Sequence, residues 1–117
     1  MERRRRRRVA VIARIWKARA TPERASEYAA YLRSTLVAEL AAIHGYRGVT
    51  LLERERDASV EVTVITWWES LEAVRAFAGE AVETAVVHDT AARMLVDFDR
   101  EVAHHRVVVD SRTAGGE

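Results

Sequence analysis

Two adjacent indoles and one histidine carry much of the chemistry this chain can offer. Trp67 and Trp68 close a run rich in β-branched residues, and His88 follows the apolar run Ala85-Val86-Val87. An indole gives a flat apolar surface for an aromatic ligand, and an imidazole takes or gives a proton near neutral pH. Trp68 and His88 are therefore the candidate catalytic pair. Trp67, Phe77, Arg14 and Tyr28 are the candidate substrate-binding residues. Each also has a plainer role. Trp68 and Tyr28 suit core packing, Trp67 suits a subunit interface, and His88 suits the surface. Arg14 interrupts an apolar strand face, where it suits an ion pair across a dimer as well as an anionic substrate.

Other chemistry is excluded by what the chain lacks. Without cysteine there is no disulfide, thiol nucleophile or Cys-ligated zinc, and without asparagine or glutamine there is no side-chain amide. His104 and His105 are neighbours on a strand, so they point to opposite sides and cannot chelate one metal from one face. Glu61 reads as an edge or interface charge rather than a catalytic acid. No G-x-S-x-G, P-loop or dinucleotide fingerprint is present.

The elements that must position these residues follow from the hydrophobic pattern. In 59–68, Val60, Val62, Val64, Thr66 and Trp68 share one strand face, while Glu61, Thr63, Ile65 and Trp67 share the other. Ser70 then caps a helix whose apolar face is Leu71, Val74, Phe77 and Ala78, and Gly79 ends it. A cavity is expected at this junction, lined by Trp68 and His88. A first strand covers 9–18, with Val9, Val11, Ala13 and Ile15 on one face and Ala10, Ile12, Arg14 and Trp16 on the other. Thr21, Pro22 and Glu23 start a helix with a buried stripe of Ala25, Tyr28, Ala29, Leu32, Leu36, Leu40 and Ile43. Strand 49–56 forms a hairpin with 59–68, residues 80–95 hold one or two short helical turns, and 102–109 is the last strand.

The order is β-α-β-β-α-β, an α+β ferredoxin-like protomer with a four-stranded antiparallel sheet. Two helices cover one sheet face. Strands one and three are apolar on both faces, so a second copy packed face to face is expected. The organisation is a basic arm at 1–8, read as disordered, one domain at 9–109, and a flexible polar tail at 110–117.

The formal charge of +1 hides an acidic body. Residues 1–8 hold six arginines and one glutamate, so 13 basic and 17 acidic residues remain of the 19 and 18 in the chain. That balance argues against nucleic acid as a partner. No segment nears the ~18 apolar residues of a membrane span, and no signal-peptide pattern follows the basic run. A cytoplasmic protein without membrane contact is the expectation.

The segments VIARIWKARATPERASEYAAYLRS, IHGYRGVTLLERE, VTVITWWESLEAVRAFAGE and FDREVAHHRVVV resemble the antibiotic-biosynthesis-monooxygenase-like family across 9–109. The most specific pieces are the GYRG turn (Gly45, Tyr46, Arg47, Gly48), the junction Trp68-Glu69-Ser70 and the FAGE helix end. The resemblance implies a dimeric α+β barrel and a cofactor-independent monooxygenase acting on a hydrophobic, aromatic, polyketide-like substrate. In such enzymes no metal or flavin is needed, and the substrate's own phenolate supplies electrons to oxygen. Trp68 matches the tryptophan these oxygenases place near the end of the third strand, with Trp67 the competing choice. A non-catalytic ligand-binding or stress-associated barrel is the alternative. A haem-degrading branch of the family is the third reading, with His88 near its iron-ligating histidine. That branch also calls for a strand-one asparagine, absent here, and for a helix tryptophan where this chain has Phe77.

Overall fold

Side-chain alternation along two central strands decides what faces the helices. The computed structural model describes residues 11–112. The arginine run and basic arm, the start of the expected first strand and the end of the tail lie outside the described residues. The elements are β1 (Ile12–Ala20), α1 (Pro22–Tyr31), a π-helical turn (Leu32–Leu36), α2 (Val37–Ala41), β2 (Tyr46–Arg56), β3 (Ser59–Trp68), α3 (Leu71–Ala78), α4 (Asp89–Ala92), β4 (Asp97–Phe98) and β5 (Ala103–Arg106). The sheet is antiparallel, in the order β2-β3-β1, with β4 and β5 both paired to the far edge of β1. Among the described residues, no helix is long and apolar enough to cross a membrane.

On β3, Val60, Val62, Val64, Thr66 and Trp68 are all buried, the face that alternation predicts. The β1–β3 register pairs Trp68 with Ile12, Thr66 with Arg14, Val64 with Trp16 and Val62 with Ala18. The Arg14/Trp16 face of β1 thus turns toward the helices. Ala13, Ile15 and Lys17 turn the other way, beside Trp67, Ile65 and Thr63.

The first helix starts as its sequence dictates. Thr21 Oγ1 accepts from the Arg24 amide at 3.2 Å, and Pro22 holds the first position. Tyr28, Leu32, Leu36 and Leu40 recur at intervals of four, slightly more than the 3.6 residues of an α-helical turn. Such a stripe drifts around an ideal helix. The wider π-helical turn at Leu32–Leu36 takes up that drift and keeps Leu40 inward. Tyr31, outside the expected stripe, is also buried.

The last strand departs from expectation. Instead of one strand at 102–109, the β1 edge is met by two short pieces, and the chain between them pairs elsewhere. The Val102 amide donates to the Glu83 carbonyl at 2.8 Å, and the Ala85 amide donates to the Arg100 carbonyl at 2.9 Å. Residues 100–102 thereby hold the connection between α3 and α4.

The GYRG turn and the Trp68-Glu69-Ser70 junction meet at one end of the sheet. The Glu69 amide donates to the Gly45 carbonyl at 2.8 Å, Arg47 pairs with Glu69, and Tyr46 sets its ring edge-on to Trp68 at 5.7 Å. Gly45 has φ +95°, and a Cβ there would lie 2.5 Å from that of Ala73 on α3. The opposite sheet face is an open groove of about 1120 Å³ that includes Ile15, Leu52, Thr63, Ile65 and His105.

These contacts rank two glycine substitutions. Gly45→Ala should cost about 3 kcal/mol, combining a left-handed backbone with overpacking against α3. Gly79→Ala, at φ +83° with nothing within 4 Å of its Cβ, should cost about 1–2 kcal/mol. Urea titration of both variants reads the difference.

Candidate functional site

A cavity lies between the inner sheet face and the helices. Its floor is Arg14 and Trp16 from β1 with Val64 and Thr66 from β3. Its walls are Tyr28 and Tyr31 of α1, Leu36, Leu40 and, from α3, Phe77. The α3–α4 connection forms the roof through Val86, Val87 and His88. The space open to water centres is about 50 Å³. At about 10–15 Å³ per water this is roughly four waters, or about 120 Å³ of liquid, close to the bulk of one aromatic ring.

The floor holds one charge. Arg14 is 4% exposed. Its Nη1 donates to the Val82 carbonyl at 2.6 Å and lies 3.0 Å from His104 Nε2, and its Nη2 donates to the Thr84 carbonyl at 3.0 Å. A guanidinium has no acceptor, so His104 Nε2 must accept and the imidazole proton sits on Nδ1. Burial pushes the Arg14 pKa down to about 10 against the pull of Glu83, so the group remains a cation at neutral pH. Burial and then the Arg14 charge hold His104 below its ordinary value, which favours the neutral acceptor. The Arg14 guanidinium carbon is also 5.7 Å from the centroid of Phe77.

His88 stands at the cavity mouth, where its Nε2 meets both carboxylate oxygens of Glu39 at 3.1 and 3.2 Å. Its backbone caps α4. Tyr28 and Tyr31 keep their phenol protons. Burial and then Tyr31 raise the pKa of Tyr28, and burial and then Glu39 raise that of Tyr31.

The expected cavity position of Trp68 is corrected. Trp68 is fully buried, stacked on Phe77 at 5.7 Å, and its Nε1 donates to Thr66 Oγ1 at 2.8 Å. Thr66 and Phe77 line the cavity and stand between it and Trp68, which packs with Leu40, Ala73 and Val74 in the core. Trp67 lies on the other sheet face. There its Nε1 donates to Thr50 Oγ1 at 3.1 Å, and the Arg112 guanidinium covers its ring at 3.9 Å. Within its own chain Arg14 bonds to two carbonyls and an imidazole. Phe77, Tyr28, Arg14 and His88 are brought together; Trp67 and Trp68 are not with them.

Sequence reasoning missed Trp16, Tyr31 and Thr66 as cavity walls. For Trp16 a signal existed, because it shares a strand face with Arg14. Glu39 and the His104–Arg14 contact carried no local signal.

The family model described as "Antibiotic biosynthesis monooxygenase" matches residues 9–87. A search of curated protein sequences finds no match. Among solved structures, a Bacillus cereus protein described as an antibiotic biosynthesis monooxygenase is similar, with TM-score 0.61 and 17% identity over 89% of this chain and 99% of that one. The Streptomyces coelicolor monooxygenase from the gene ActVA-Orf6, solved with nanaomycin D, has TM-score 0.51 and 13% identity over 91% and 92% of the two chains. The Mycobacterium tuberculosis haem degrader MhuD has TM-score 0.46 and 22% identity over 86% and 99%, a likeness too low to carry an argument. At these identities the likeness is one of fold.

The depressed His104 pKa has a signed consequence. Above the unfolded value of 6.5 the residue is neutral in both states, and its contribution to stability is complete. As pH falls through 6.5 the unfolded chain takes the proton first, so stability declines until the folded-state value is passed. Replacing His104 by Leu should remove this component. Urea midpoints of wild type and His104→Leu between pH 7.5 and about pH 5 should therefore converge as the pH drops.

Proposed function

The chain belongs to the antibiotic biosynthesis monooxygenase family, and on that footing we propose that it is a cofactor-independent monooxygenase acting on a hydrophobic, aromatic substrate. The observation that carries this reading is the ring-sized cavity walled by Trp16, Tyr28, Tyr31 and Phe77, with His88 at its mouth. In this reading His88 takes a proton from the substrate, leaving an electron-rich anion. Dioxygen accepts electrons from that anion. One oxygen atom enters the substrate as a new ring carbonyl, giving a quinone, and the other leaves as water with the two hydrogens lost. Both hydrogens come from the CH₂ of an anthrone, or from the ring C–H and the O–H of a phenol or naphthol. The apolar walls keep bulk water from the anion, which strengthens every fixed charge that faces it. Trp68 contributes from behind the wall, by holding Thr66 and Phe77 in place.

The reading includes a second copy of the chain. The outer sheet face, with Ile15 and Ile65 half-buried and Leu52 49% exposed, supports a homodimer closed through that face. A stable interface of this kind buries more than ~1,000 Å². Light scattering at micromolar concentration should give twice the mass of one chain, and a monomer would contradict it.

Oxygen uptake tests the reaction. A panel running from single-ring phenols through naphthols to anthrones should include at least one compound that drives uptake. His88→Ala should lower that rate by about a hundredfold or more, the low end of general-base catalysis. Its unfolding free energy from urea titration should stay within about 0.5 kcal/mol of wild type, because the His88 side chain is 44% exposed. An unchanged rate in His88→Ala would remove the base assignment, and tight binding without uptake would make the protein a carrier.

A further inference from the structure

Arg14 is a buried cation whose partners are all neutral. It bonds to the Val82 and Thr84 carbonyls and to the accepting nitrogen of His104. Among the described residues, no carboxylate comes within ion-pair distance of it. Glu83 acts on it only through space, and that residue is exposed. A guanidinium has five N–H donors in a rigid plane. Three are engaged by those contacts, which leaves Nε–H and one hydrogen of Nη2. The side chain also lines the cavity, with Phe77 within cation–π range and Trp16 and Tyr28 on neighbouring walls. Burying a charge without a countercharge is costly, and an anionic ligand would supply what is missing. A carboxylate suits two donors on one planar group better than a single-point acceptor does.

We propose that Arg14 makes this cavity a binding site for small aromatic carboxylic acids, with the ring among Trp16, Tyr28 and Phe77 and the carboxylate on Arg14. The proposal deepens the oxygenase reading by naming a substrate class for the same cavity. Ring size follows from the volume, and the carboxylate follows from the uncompensated cation. Surface arginines would also attract benzoate, but salt screens them far more than it screens a cation that is 4% exposed.

Calorimetric titration with benzoate and benzamide tests this, because the two differ in charge far more than in size. At pH 7.5 wild type should bind benzoate about tenfold or more tightly than benzamide, the difference expected of a charge-assisted contact. That preference should survive an increase in salt to about 0.5 M. Arg14→Met should bind the two ligands equally, and Arg14→Lys should keep part of the preference. Far-UV circular dichroism checks that the variants fold. Should Arg14→Met fail to fold, the wild-type comparison and Arg14→Lys still decide. Equal affinities in wild type, binding of neither ligand, or a preference abolished by salt would overturn the proposal. Oxygen uptake is measured separately, so its absence would count against the oxygenase reading alone.

Discussion

The guanidinium of Arg14 is the constraint on which the cavity depends. The α3–α4 connection has little regular structure of its own, yet it supplies Val86, Val87 and His88 to the roof. Two of its carbonyls, Val82 and Thr84, end on one buried side chain from the central strand. Paired backbone bonds to residues 100–102 fix the outer side of the same segment. A carbonyl buried without a donor costs about 1–3 kcal/mol. Removing the guanidinium would strip the buried Val82 carbonyl and the part-buried Thr84 carbonyl of the donor that ties the roof to the strand.

The GYRG end and the cavity are packed by largely different residues, joined at Phe77. At the GYRG end, Arg47 pairs with Glu69, Gly45 admits Ala73, and Trp68 is enclosed between Tyr46 and Phe77. These residues join β2 to α3 and none of them but Phe77 reaches the cavity. Phe77 is the link, with one face on Trp68 and its ring within range of Arg14. A change in the core at Trp68 would therefore be felt in the cavity through Phe77 and Thr66, as a displacement of its lining.

The legibility of the fold from sequence tracked how strongly each pattern discriminated. β3 was readable to its buried face because its alternation and its flanking cap agree. The hairpin was readable from a short turn, and Asp57 indeed takes φ 55° there. β1 was not, since both of its faces are apolar and only pairing with β3 decides between them. The split fourth strand was hidden because residues 100–102 leave β1 to hold a segment distant in sequence. Trp68 shows the limit for sites. Its inward direction follows from alternation, but whether it meets the cavity depends on Thr66 and Phe77 standing in front of it, which no periodicity encodes. The Arg14–His104 contact joins residues 90 positions apart and carries no local signal.

One buried cation holds the roof of the cavity in place. Amide hydrogen exchange reads it directly, through the Ala85 and Val102 amides that fasten the roof to residues 100–102. In Arg14→Met these two amides should lose much of their protection, while amides in the β2–β3 ladder exchange as in wild type. Unchanged protection at Ala85 and Val102 would show that the roof is held without Arg14.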